Sequence, residues 1–212
     1  TSVTVPNVGT YSVDSSGVMT FTPVTGYSGT PAPLSYTVAD KFGVKATATY
    51  TPTIIPPPTV VSDTTTAGWD VTQTMNVVTS TAGANTNNTK TNSQDTAATG
   101  TILKANSLTI GCGSITAPDC TQTVVNNVVT EVIMAGQGTY TVNPATNEIT
   151  FNPAATFAST ARPVTYTISD DLNQVSSTTY TPKVTPPPLP TADAETTKNR
   201  KGAVQTTNLL DG

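Results

Sequence analysis

"GTYTVNPATNEITFNP", residues 138–153, reads as a strand, a turn and a second strand. Apolar and polar positions alternate in both arms, the period of a half-buried strand. The intervening "NPATN" is turn chemistry. The chain already carries this element at residues 9–23, as "GTYSVDSSGVMTFTP". The duplication decides how the rest of the sequence is read.

Further blocks recur in the same order at an offset of about 130 residues. Tyr27 meets Phe157, "LSYTVAD" (34–40) meets "VTYTISD" (164–170), and "TYTPTIIPPP" (49–58) meets "TYTPKVTPPP" (179–188). A weaker match follows the proline clusters. "SDTTTAGWDVTQTMNVV" (62–78) resembles "ADAETTKNRKGAVQTTNLL" (192–210), with a small insertion in the second copy. One complete β repeat is therefore expected over residues 57–186. Residues 1–56 read as the C-terminal part of a preceding repeat, and residues 187–212 as the start of a following one.

The blocks predict antiparallel strands with one covered face. Leu34, Tyr36 and Val38 share a face, as do Val164, Tyr166 and Ile168. Val44, Ala46, Ala48 and Tyr50 likewise share an inward face opposite Lys45, Thr47 and Thr49. In the middle, Trp69, Val71, Met75 and Val77 fall on one face, and Leu108, Ile110 and Cys112 on another. Residues 124–134, "VVNNVVTEVIM", predict one further long strand, and the small polar stretch 80–100 a mobile loop. No segment carries an amphipathic-helix period. The fold class expected is all-β: tandem antiparallel sandwiches of immunoglobulin-like shape, joined by proline-rich linkers.

Composition supports this and narrows function. Threonine is the commonest residue, and its branched side chain suits a pleated surface while its hydroxyl faces water. Only 10% of residues are charged and the net charge is −4, which speaks against nucleic acid as a partner. There is no histidine, which removes histidine-based acid–base chemistry, Ser-His-Asp triads and His-rich metal sites. No signal peptide stands at residue 1 and no apolar run is long enough to cross a membrane. The segment is thus expected to be soluble, without membrane insertion, and any targeting signal lies outside it. Cys112 and Cys120 can close one small disulfide loop, implying an oxidising compartment; the other reading is two buried thiols.

The blocks "TSVTVPNVGTYSV" (1–13), "MTFTPVTGYSGTPAPLSYTVAD" (19–40) and "ATATYTPTIIPPP" (46–58) resemble the repeats of bacterial fibrillar surface adhesins, the CshA-type fibril repeat family. Their second copies, over residues 131–188, carry the same resemblance. It implies strings of β-sandwich domains that project from the cell wall as a shaft, with ligand binding in separate non-repetitive regions. The cysteine pair and the length of residues 64–130 depart from that motif.

Few residues suggest chemistry. Asp170 and Asp171 are adjacent in "SDDLN" and so point to opposite strand faces, a poor acid–base couple. They read as turn residues; Asp170, Asp171 and Asn173 would otherwise supply part of a calcium shell, the one cofactor the sequence suggests. Gly136 and Gly138 read as a turn before a strand, since no P-loop lysine follows. Trp69 is expected in the core, with a sugar platform as the alternative. "NRK" (199–201) reads as a solvated turn. A Lys–Asn isopeptide crosslink would need Lys45 or Lys183 inside a core beside an Asn and an acid. Pro56, Pro57 and Pro58, and Pro186, Pro187 and Pro188, are expected to hold neighbouring repeats end to end as stiff polyproline joints.

The function expected is a non-enzymatic spacer repeat of an extracellular, cell-surface fibril, partnered by neighbouring repeats of the same chain or fibril. The alternatives are a sandwich that binds a glycan, a host protein or a bacterial surface ligand, and a filament subunit assembled by strand exchange.

Overall fold

The repeated hairpin is present twice in the computed structural model, which describes residues 1–79, 83–84, 89–90, 94–190 and 196–207. The first copy lies in an N-terminal segment of five strands. β1 (Ser2–Val5), β2 (Gly9–Val13) and β3 (Met19–Pro23) form an antiparallel sheet in that order. β4 (Leu34–Ala39) and β5 (Lys45–Tyr50) form a separate antiparallel pair. Their turn is set by Asp40, whose Oδ1 accepts the backbone N–H of Phe42 and Val44 at 2.8 and 2.9 Å.

The strands from Asp63 onward build a central body of two sheets. β6 (Asp63–Ala67) and β7 (Gln73–Asn76) open it, followed by the two-residue strands β8 (Gly83–Ala84) and β9 (Thr89–Lys90). β10 (Thr109–Gly111), β11 (Cys120–Val125), β12 (Val128–Met134) and β13 (Gly138–Asn143) come next. β14 (Glu148–Pro153), β15 (Val164–Ser169) and β16 (Val175–Val184) close it. One sheet runs β10-β15-β16-β6-β9-β8 and the other β11-β12-β13-β14-β7. All pairings are antiparallel except β16 with β6, where Tyr180–Val184 runs parallel to Asp63–Ala67. The inner faces share one core that includes Val132, Tyr140, Ile149 and Phe151 from one sheet and Ile110, Val164, Tyr166 and Tyr180 from the other. This is the arrangement of a β-sandwich, and no helix occurs among the described residues.

The hairpin is closely repeated. Tyr140 stands opposite Phe151, and Tyr11 opposite Phe21, in equivalent registers. A glycine stands two residues before each tyrosine for a steric reason. A Cβ on Gly138 would overlap the Asn152 carbonyl oxygen and the Phe151 ring; one on Gly9 would overlap the Thr22 carbonyl oxygen and the Phe21 ring.

Three sequence expectations are corrected. Trp69 is 45% exposed, not in the core, and Val71 is exposed too. Gly68 accepts from Val71 N–H and Asp70 has φ of 57°, so a turn breaks the alternation and the inward parity starts at Gln73. Residues 124–134 are not one strand. Asn126 and Asn127, at φ 50° and 65°, turn β11 back into β12. Two consecutive positive φ values suit asparagine and give the tight hairpin. Finally, the stretch 80–100 contains β8 and β9, and its end is pinned by a buried Asp95; residues 80–82, 85–88 and 91–93 lie outside the described residues.

Candidate functional site

The two copies differ in what covers them. Val164, Tyr166 and Ile168 are buried, and their parity matches the sequence reading. The equivalent face of β4 is open: Tyr36 is 37% exposed against 0% for Tyr166, and Val38 58% against 2% for Ile168. Val44, Ala46 and Ala48 are exposed as well, so the expected covered face is absent here. The cause is visible in the strand order. β15 is flanked by β10, β14 by β7, and the end of β16 by β6, whereas β4, β3 and Thr51–Ile54 have no such neighbour among the described residues. Thr51–Ile54, equivalent to Thr181–Val184, carries one isolated bridge, Gly29 to Ile54. The result is a cleft of about 290 Å³ whose lining includes Val13, Met19, Tyr36, Val38 and Tyr50.

In the central body the corresponding space is closed by polar side chains that composition did not flag. Asp63, Thr65, Gln73 and Asp95 are all buried. The Tyr166 hydroxyl donates to Asp95 Oδ2 at 2.8 Å, with Asp63 Oδ2 at 3.2 Å and the Val61 carbonyl at 3.1 Å. Asp95 Oδ1 accepts Val61 N–H at 2.9 Å. Thr65 Oγ1 donates to Gln73 Oε1 at 2.5 Å and lies 2.7 Å from the Tyr180 hydroxyl; Gln73 Nε2 donates to the Lys183 carbonyl at 3.1 Å. This network fastens β6 and β7 onto β15 and β16. Burial pushes the Tyr166 hydroxyl far above the ordinary tyrosine range, and the Asp95 and Asp63 carboxylates push it further. Burial raises Tyr140 and Tyr180 in the same sense. The signal that could have found Asp63 is its recurrence as Asp193 in the weak match; Asp95 has no such signal, because its partners are distant in sequence.

The other sequence candidates are placed as follows. Cys112 and Cys120 are disulfide-bonded and buried, and they join the end of β10 in one sheet to the start of β11 in the other. Asp170 is buried and its oxygens are engaged: Oδ1 accepts Leu172 N–H at 3.0 Å and Gln174 N–H at 2.8 Å, and Oδ2 accepts Gln174 Nε2 at 3.1 Å. Asp171 Oδ1 accepts Ile102 N–H at 3.2 Å, and Asn173 Oδ1 accepts Lys104 Nζ at 2.7 Å. These three residues close a turn and clasp residues 102–104, with their oxygens turned toward N–H donors rather than a common centre. Lys45 and Lys183 are both exposed, outside any core. Residues 199–201 are exposed.

The proline clusters differ from each other. Pro58 is buried, its carbonyl accepts Ser176 Oγ at 2.6 Å, and the Pro56 carbonyl accepts Gln174 Nε2 at 3.3 Å. Pro56 and Pro57 are exposed, as are Pro186, Pro187 and Pro188. The first cluster is therefore tied by its carbonyls to the central body. Of the expected following repeat, residues 191–195 and 208–212 lie outside the described residues, and residues 196–207 form no strand. No helix among the described residues is long and apolar enough to cross a membrane.

A family model described as the surface adhesin CshA repetitive domain matches residues 1–54 and 71–184. The interval between the two matched stretches holds β6 with Asp63. No curated protein and no solved structure matches the chain.

Proposed function

The chain belongs to the surface adhesin CshA repetitive-domain family, and on that premise we propose that it is a non-enzymatic spacer repeat of an extended, extracellular cell-surface fibril. The observation that carries this is the duplicated aromatic cluster. Tyr140–Phe151, Tyr140–Tyr180 and Phe151–Phe157 have centroid separations of 4.6, 6.0 and 6.5 Å. Tyr11–Phe21, Tyr11–Tyr50 and Phe21–Tyr27 have 4.6, 6.2 and 6.5 Å. A binding site needs to be made once; an element remade in the same form about 130 residues away makes length.

We read residues 57–186 as one complete immunoglobulin-like sandwich and the proline clusters as its joints. The carbonyls of Pro56 and Pro58, bonded to Gln174 and Ser176, restrain the first joint against bending. Neutral threonines on outward faces keep such a shaft hydrated without strong charge. The test is to vary the number of these repeats in the fibril-bearing cell and measure fibril length by electron microscopy. Length should rise in equal steps per repeat; a length independent of repeat number would overturn the spacer reading.

A second reading has its own observation. Trp69 and Val71 are exposed, as are Val124, Val125 and Val128 around the Asn126–Asn127 turn. Exposed apolar side chains at a hairpin tip suit capture of a glycan or a host protein. Adhesion by cells bearing Trp69→Ala, or Val124→Thr with Val125→Thr, separates the readings. Loss of adhesion with fibril length unchanged favours binding.

A further inference from the structure

We propose that Thr65 and Gln73 close into an intramolecular ester, a covalent modification that ties together the two sheets of the central body. Thr65 stands on β6 and Gln73 on β7, in opposite sheets, and both residues are fully buried. Thr65 Oγ1 lies 2.5 Å from Gln73 Oε1, at the short end of the range for a hydroxyl on an amide oxygen. A carbonyl bond is about 1.2 Å long, so the hydroxyl oxygen is within about 3.7 Å of the amide carbon. That is close to the separation of about 3–3.5 Å from which a held nucleophile attacks.

The surroundings supply what the step needs. The Tyr180 hydroxyl lies 2.7 Å from Thr65 Oγ1, placed to carry its proton. Burial holds that phenol above the ordinary tyrosine range, so it relays the proton as a neutral hydroxyl. Asp63 shares the inward face of β6 with Thr65 and stands opposite Tyr180 in the parallel ladder, a buried carboxylate on the same side as the relay. Gln73 Nε2 donates to the Lys183 carbonyl at 3.1 Å, so the amide presents its oxygen to Thr65 and its nitrogen to Lys183. In the step, Thr65 Oγ1 bonds to Gln73 Cδ and the Cδ–Nε2 bond breaks. The nitrogen leaves as ammonia, taking the proton that Thr65 gave up, and no oxidant or co-reactant is needed. Ammonia escapes to bulk water and is trapped there as ammonium, while the dry site keeps water from the ester. The disulfide already joins the sheets at β10 and β11. β7 and β11 are the two edges of one sheet, so the ester fastens the sandwich on the side that the disulfide leaves untied.

Intact-mass spectrometry of the folded chain, unfolded and reduced just before injection, tests this. The mass should fall about 17 Da below that of the sequence, the loss of one ammonia. The deficit should map to the proteolytic peptide that holds residues 65 and 73, and hydroxylamine should free Thr65 and leave a hydroxamate at 73. Thr65→Ser keeps a hydroxyl and should retain the deficit, whereas Thr65→Val and Gln73→Met should run at full mass. A folded wild type at full mass, a deficit mapped to other residues, or one that persists in Thr65→Val overturns the proposal. None of these readouts depends on fibril length, which tests the spacer reading separately.

Discussion

The rings of Tyr140 and Phe151 lie 4.6 Å apart at 42°, and those of Tyr11 and Phe21 lie 4.6 Å apart at 43°. The same pair is thus set in two different surroundings. Phe151 is fully buried beneath a second sheet, while Phe21 is only half-buried. Phe151→Ala should cost about 3–5 kcal/mol and Phe21→Ala clearly less, because a truncated site open to water leaves no sealed cavity. Urea unfolding followed by near-UV circular dichroism checks this. Equal losses for the two variants would show that the N-terminal aromatic cluster is as tightly enclosed as the central one.

Gly138→Ala places a methyl group against the Asn152 carbonyl and the Phe151 ring. The backbone on both sides is fixed in the ladder between β13 and β14, so neither neighbour can retreat cheaply. A loss of at least about 1 kcal/mol is expected, whereas Gly136→Ala, with open space around it, carries only the strain of its positive φ. Thermal unfolding of the two variants side by side decides it; a milder Gly138→Ala would contradict the close approach.

Removing the disulfide by Cys112→Ser with Cys120→Ser should lower stability by about 2–3 kcal/mol, the loop-closure entropy of so short a loop. The effect is structural because the bond joins strands of opposite sheets. The unfolding midpoint with and without reductant measures it. No change on reduction would mean that the sheets are held together without it.

Stability should fall at alkaline pH. Burial raises the pKa values of Tyr140, Tyr166 and Tyr180 in the folded state, while the unfolded chain ionises near the ordinary tyrosine value of about 10. Below that value both states keep the proton and the contribution is intact. Above it the unfolded state releases protons that the folded state retains, so stability declines as pH rises. Phenolate absorbance should therefore report these tyrosines in one step that coincides with unfolding. Titration of all seven tyrosines near the ordinary value with the fold intact would sink the assignment.

Asp170→Ala removes an acceptor of three N–H donors, two of them on the backbone of the turn between β15 and β16. The expected cost is about 1–3 kcal/mol. Asp171→Ala, which loses only one long bond to Ile102, should cost less. Hydrogen exchange at Leu172 and Gln174 checks the local origin of the loss; unchanged protection there would place the effect elsewhere.

The strands and their faces were legible where the pattern is local. Alternation placed Val164, Tyr166, Ile168, Leu108, Ile110 and Cys112 inward, and the structure buries all six. The tandem repeat, the turns at Asp40 and Asp170, and the family were also readable, because each is written in adjacent residues or in a fixed offset. Side-chain parity says which residues share a face; it does not say whether anything lies on that face. Tyr36 and Tyr166 sit in near-identical strands, yet one is open and the other sealed by β6, β10 and Asp95. Burial is a property of neighbours brought from elsewhere in the chain, and so is the meeting of Asp63, Asp95 and Tyr166. Those were decided by tertiary packing, as was the solvent exposure of Trp69 once a turn had broken its strand.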